Sequence, residues 1–192
     1  MKKGVIMKNP IAVVTMKSGG VIKFELFPQN APKAVSSLIC LAKKGILNNR
    51  NIQRIVPGFV IQPVFMEEGE PMDYRFLIDG EFSANGYKNG AVMEKYSVGM
   101  AGDGKQLASG SQYFFTMTEE SAAKLNGRFT VVGKVIEGFE ELERIQSVPL
   151  KPFEGGDGSI TANEAVTPEI ITDFTVETFG QEYSMPEIIK YI

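Results

Sequence analysis

The sequence predicts a mainly β protein organised as an antiparallel sheet or barrel. Short β-branched and aromatic runs recur along the chain, only two stretches carry clear helical periodicity, and strands do not alternate with helices as in parallel sheets. With 192 residues, 43% of them hydrophobic, the chain is expected to form one domain whose core needs no disulfide or metal to hold it.

The first element is a hairpin. Ile11 to Met16 and Val21 to Leu26 alternate on either side of the glycine turn Lys17-Ser18-Gly19-Gly20. A helix follows, with Asn30 as its N-cap, Pro32 in its first turn, an apolar face of Ala34, Val35, Leu38, Leu41 and Ala42, and Gly45 as its C-cap. Within it Cys40, the chain's one cysteine, has no partner for an intrachain disulfide and is expected to be a small buried hydrophobe.

Short strands are predicted at 52–56 and 59–62, joined at Pro57-Gly58. Residues 66–90 read as polar and irregular, and the acidic Glu67, Glu68 and Glu70 as a solvated loop. A strand over Ser97 to Met100, a small-residue loop over 101–111 and an aromatic strand over Tyr113 to Met117 come next. Thr130 to Val135 reads as a strand, Phe139 to Ile145 as the second helix, 154–158 as a glycine-rich loop, and Ile170 to Val176 as a late strand before a polar tail. No internal repeat is present.

Composition removes whole chemistries. The chain has no histidine, so triads built on an imidazole base and most catalytic zinc sites are excluded; catalysis is left to carboxylates, Arg, Lys, Tyr, backbone dipoles, or steps that move no proton. Twenty Lys and Arg against 23 Asp and Glu give a net charge of -3, with no basic cluster to attract nucleic acid or an anionic membrane. Met1-Lys2-Lys3 opens like a secretory leader, but Lys8-Asn9-Pro10 breaks the pattern, and no run approaches the ~18 apolar residues of a membrane span. A cytoplasmic location is expected.

Three segments carry candidate chemistry: Arg54-Ile55-Val56-Pro57-Gly58-Phe59-Val60-Ile61-Gln62, Gly110-Ser111-Gln112-Tyr113-Phe114-Phe115, and the stretch from Leu125-Asn126-Gly127-Arg128-Phe129 to Val135. Each alone has a plain structural reading, with Phe59 in the core, Arg54 on the surface, and glycines serving tight turns. On a strand, Val60 and Gln62 share a face, while the Pro57-Gly58 bend leaves the relative direction of Arg54 and Phe59 open. Glycine beside an aromatic strand also suits an extended-peptide site, because it admits another backbone over an apolar floor.

In this order and spacing the segments resemble the cyclophilin family of peptidyl-prolyl cis-trans isomerases. The likeness also includes Val21 to Pro28, the helix start Ala31-Pro32-Lys33-Ala34-Val35, and Val98-Gly99-Met100-Ala101. It implies an eight-stranded antiparallel closed barrel capped by two α-helices over residues 11–179, with 1–10 as an N-terminal extension and 180–192 as a tail. The resemblance implies that Arg54 is the catalytic arginine, Gln62 the glutamine beside it, and Phe59 and Phe114 the aromatic walls of a proline pocket. It places Val60, Leu125 and Phe129 in that pocket, and Ala101, Gly102 and Gln112 against the peptide backbone and the residue preceding proline.

This chain departs from the family at Gln53 and Phe129, where histidines are usual, at Lys124, where a tryptophan important for cyclosporin is usual, and at Pro63-Val64-Phe65, where Gly-Gly-Asp is common. The resemblance implies rotation of X-Pro bonds in folding or unfolded polypeptides and a chaperone-like role without cofactor or metal; Lys124 is expected to weaken cyclosporin binding, and one barrel without an obvious apolar seam is expected to be a monomer. A catalytically silent proline-peptide module on the same fold is the alternative. A barrel with a small-molecule ligand inside it is a third reading, which requires an apolar cavity along the barrel axis.

Overall fold

Alternation along the first hairpin sets one wall of the structure, a computed structural model that describes residues 8–63, 75–152 and 163–192. On β1 (Ile11–Met16) Ala12, Val14 and Met16 are buried, and on β2 (Val21–Leu26) Ile22, Phe24 and Leu26 are, so one face of the hairpin is core and the other is solvated. The strands that follow are β3 (Arg50–Asn51), β4 (Arg54–Val56), β5 (Val60–Gln62), β6 (Phe76–Asp79), β7 (Ser97–Gly102) and β8 (Leu107–Thr116). The remainder are β9 (Val131–Glu137), β10 (Leu150–Pro152), β11 (Asn163–Ala165), β12 (Ile170–Glu177) and β13 (Lys190–Tyr191).

The antiparallel pairings run β1–β2–β9–β7–β8–β5–β4. Just upstream of β4 the same stretch of chain, as β3, pairs with β12, which pairs with β1. The ladder therefore closes on itself through Arg50–Val56. Counting β3 and β4 as one, eight strands form this ring among the described residues, as the sequence resemblance implied. Outside the ring β6 pairs with the start of β8, and β10 and β11 form a separate two-stranded ladder.

Side chains fill the ring. Phe24, Tyr113, Phe115 and Phe174, all buried, lie with neighbouring ring centroids 5.6–6.2 Å apart. These rings occupy the interior that a small-molecule-binding barrel would leave open, which removes the support that reading needed.

α1 (Pro32–Lys43) buries Ala34, Val35, Leu38, Ile39 and Leu41 against β8 and β12. Asn30 does not cap it: Ala31 holds the N-cap position with no side-chain bond, and the carboxylate of buried Glu81 accepts from Lys33 N at 3.0 Å and Ala34 N at 2.9 Å. A cap supplied from 47 residues away leaves no local signal. Lys44 rather than Gly45 holds the C-cap, and Gly45 follows it with the left-handed φ of 71° that ends the helix. Cys40 is half-buried rather than buried, its Sγ 3.6 Å from the carbonyl of Tyr183.

Further differences are local. The 101–111 segment is mostly strand, because β7 extends to Gly102 and β8 begins at Leu107. Its small residues suit packing: a Cβ on Gly110 would lie 1.9 Å from the Phe76 ring. β6 falls inside the stretch read as irregular, and a third helix, α2 (Glu119–Leu125), precedes α3 (Phe139–Ile145). α2 is short but closed by a reciprocal cap in which the Thr118 hydroxyl accepts from Ser121 N and Ser121 Oγ accepts from Thr118 N. The tail folds back, with Tyr183, Met185 and Ile188 packed on the core and β13 paired to β6. The acidic triplet at 67–70 and the 154–158 loop lie outside the described residues.

Candidate active site

Strand parity divides the wall formed by β5, β8 and β9 between two cores. Tyr113 and Phe115 point into the barrel, and Phe114 between them points out. Ile61 and Val60 on β5 split the same way, as do Val132 and Val131 on β9. The outward set, Val60, Phe114 and Val131, joins Met93 and Ala122 in a second apolar cluster, against which Phe59, Ala91, Leu125 and Phe129 pack half-buried. Gly99, opposite Phe114 on β7, makes room for its ring: a Cβ there would lie 2.4 Å from Phe114 Cζ. Phe129 meets Phe114 edge to face at 5.8 Å and 89°.

A tight turn sets the polar rim of this cluster. Phe59 N donates to Val56 O at 2.8 Å, and Gly58 takes the left-handed φ of 72° that the turn requires. The ladder then puts Arg54 directly opposite Gln62, and Arg54 Nη1 donates to Gln62 Oε1 at 3.0 Å. The guanidinium carbon lies 5.9 Å from the centroid of the Phe59 ring. Gln62 Nε2 makes a long contact of 3.5 Å with Gln112 Oε1.

Among the described residues Arg54 has no carboxylate partner, and its buried Nε has no hydrogen-bond acceptor. Burial lowers its pKa from the ordinary arginine value, yet the group stays charged at neutral pH. The rim thus offers a fixed cation with a spare donor beside a half-exposed apolar surface.

On the other side, Ala101 sits at a register shift between Met100 and Gly102. Gly102 lies tight against β8, where a Cβ would be 2.3 Å from Leu107 O. The turn beyond it brings Gly104 beside Phe129, whose Cζ lies 3.5 Å from where a Gly104 Cβ would be. Of the residues singled out in the sequence, Phe59, Val60, Phe114, Leu125 and Phe129 share one cluster, Arg54, Gln62 and Gln112 form a polar chain along it, and Ala101 and Gly102 end the adjoining strand.

A family model described as cyclophilin type peptidyl-prolyl cis-trans isomerase/CLD matches residues 11–173. The chain belongs to the cyclophilin family. A peptidyl-prolyl cis-trans isomerase of Helicobacter pylori is 32% identical over 151 residues, 76% of this chain and 86% of the relative. A probable peptidyl-prolyl cis-trans isomerase of Brucella suis is 29% identical over 179 residues, 86% of this chain and 82% of the relative. The solved cyclophilin-type isomerase of Cryptosporidium parvum superposes with a TM-score of 0.68 at 26% identity, covering 88% of this chain and 98% of that one. Fold, family and homologues agree on a cyclophilin-type peptidyl-prolyl cis-trans isomerase.

Three departures from the family pattern have definite places in this cyclophilin, while Val64 and Phe65 of the fourth lie outside the described residues. Gln53 is buried next to Arg54, Phe129 walls the pocket, and Lys124 is exposed on α2, paired with Glu120 at 2.7 Å. Sequence reasoning missed Ala91, Met93, Ala122 and Val131. Val131 was recoverable from parity once Val132 is assigned inward, and Ala122 from the Thr118–Ser121 cap; Met93 and Ala91 lie in an irregular segment with no periodic signal.

Proposed function

We propose that this chain accelerates cis-trans rotation of X-Pro peptide bonds by seating proline in the outward pocket of Phe59, Val60, Phe114, Leu125 and Phe129 and stabilising the twisted amide with Arg54. The observation that carries this reading is the Arg54 guanidinium, hydrogen-bonded by Gln62 and held at the edge of that pocket. Rotation faces a barrier of ~18–20 kcal/mol, because conjugation gives the C–N bond double-bond character. As the bond twists, conjugation is lost, and the proline nitrogen becomes pyramidal and a better acceptor. A donor held at that nitrogen then binds the transition state more strongly than either ground state. Gln62 orients the guanidinium, and Ala101, Gly102 and Gln112 hold the residue before proline. No proton leaves the substrate, so the lack of histidine costs the reaction nothing.

A Cryptosporidium parvum relative was solved in the presence of the dipeptide Ala-Pro, with a TM-score of 0.67 to this chain. That supports short proline-containing peptides as the substrate class. The wider reading is a monomeric cytoplasmic chaperone acting on unfolded chains, with weak cyclosporin binding because Lys124 stands at the usual tryptophan position. Nanomolar inhibition by cyclosporin would contradict that last expectation.

The competing reading is a proline-peptide module without turnover, favoured by the altered rim at Gln53, Lys124 and Phe129. NMR exchange spectroscopy of an Ala-Pro peptide with catalytic amounts of wild type and of Arg54→Ala separates the two. Fast exchange that is largely lost in the variant supports the isomerase, while peptide binding without exchange supports the module.

A further inference from the structure

The loop that adjoins the pocket treats its two kinds of charge unequally. Asp103 is spent on the loop itself: its Oδ1 accepts from Lys105 N at 2.9 Å, Gln106 N at 2.8 Å and Leu107 N at 2.9 Å. Arg128, the residue before the pocket wall Phe129, is not spent. Its side chain is exposed and reaches the same loop, with Nη2 3.8 Å from where a Gly104 Cβ would lie. Among the described residues its guanidinium has neither an ion pair nor a hydrogen bond, whereas the nearby Lys124 is neutralised by Glu120. An unpaired guanidinium therefore stands at the rim where Phe129 meets the loop that follows Ala101 and Gly102 at the end of β7.

We propose that Arg128 is a specificity-determining residue that selects substrates with an acidic side chain immediately before proline. This rests on the isomerase reading above and on Ala101 and Gly102 holding the residue that precedes proline. A carboxylate at that position meets a cation already in place, and an ammonium meets repulsion. Because the attraction acts on the cis, twisted and trans forms alike, it lowers KM and leaves kcat unchanged. An exposed pair of this kind is worth about threefold in affinity, and strong salt erases it.

The test is exchange of Ala-Xaa-Pro-Ala peptides, with Xaa as Glu, Ala or Lys, by wild type, Arg128→Ala and Arg128→Glu. Wild type is expected to show a KM for Glu about threefold below that for Lys at equal kcat, a preference that disappears in 1 M salt. Arg128→Ala removes the preference and Arg128→Glu reverses it, both with the Xaa = Ala peptide turned over as by wild type. A Glu-over-Lys ratio unchanged in Arg128→Glu, or no charge preference in wild type at low salt, overturns the proposal while leaving the isomerase standing. Absence of turnover of the Xaa = Ala peptide by wild type overturns the isomerase reading, and this proposal with it.

Discussion

Arg54 and Gln62 face one another across the β4–β5 ladder, and the 3.0 Å bond between Nη1 and Oε1 holds the guanidinium beside the Phe59 ring, at the edge of the outward apolar cluster that includes Phe114. Register, rather than sequence proximity, makes the pair. Arg54→Ala is expected to lower kcat/KM by about a hundredfold or more, the usual cost of a lost transition-state donor. Gln62→Ala removes only the orientation and is expected to cost about tenfold, mainly in kcat, with the fold retained by circular dichroism. Since Arg54 stays protonated throughout, kcat/KM should be flat between about pH 6 and 9, without the bell shape of a general acid–base pair.

Phe129 packs edge to face on Phe114, so an apolar ring completes the pocket where the family has histidine. Phe129→His is expected to leave turnover of an Ala-Pro peptide within about tenfold of wild type, because the reaction transfers no proton. A rise by orders of magnitude would show that phenylalanine disables the site.

Tyr113 places its hydroxyl inside the barrel, fully buried and without a hydrogen-bond partner among the described residues. Burial pushes its pKa far above the ordinary tyrosine value, so the group stays neutral at any working pH. Tyr113→Phe keeps the packing against Phe24, Phe115 and Phe174 and removes the orphaned oxygen. It is expected to raise stability by about 1 kcal/mol, or ~2–4 °C in Tm, readable by calorimetry.

Glu141 on α3 accepts from Ser18 Oγ at 2.8 Å and from both Arg144 Nε and Nη2 at 2.8 Å, and Arg144 continues to Glu169 at 2.6 Å. Arg144 holds the Glu141 carboxyl below its ordinary value, although burial works against this. A carboxylate depressed in the folded state stabilises above its unfolded pKa and loses that contribution as pH falls through the folded one. Stability should therefore decline below about pH 4.3, and Glu141→Gln should lower the Tm at pH 7 while flattening that acid decline. Gly20→Ala strikes the same network, since a Cβ there would lie 2.1 Å from the Glu141 carboxyl carbon, and is expected to destabilise at every pH.

The hairpin, α1, α3, the 54–62 strand pair and the late strand were legible in the sequence because their signals are local: period-two alternation, a 3.6-residue apolar stripe, and Pro-Gly or glycine turns. The ten candidate site residues are legible in the sequence only as a set borne by resemblance. Parity sets Phe114 opposite Tyr113 and Phe115, but nothing in their spacing said which of the two faces lies outside, or that Arg54 meets Gln62. Tertiary structure decided those points, since which face of a strand is outside depends on how the ring closes, and closure runs through pairings such as Ile170 with Asn51, far apart in sequence. The same reason hid Glu81 as the cap of α1, Met93 in the pocket and β13 at the sheet edge: each is placed by a partner distant along the chain, whose identity no local pattern encodes.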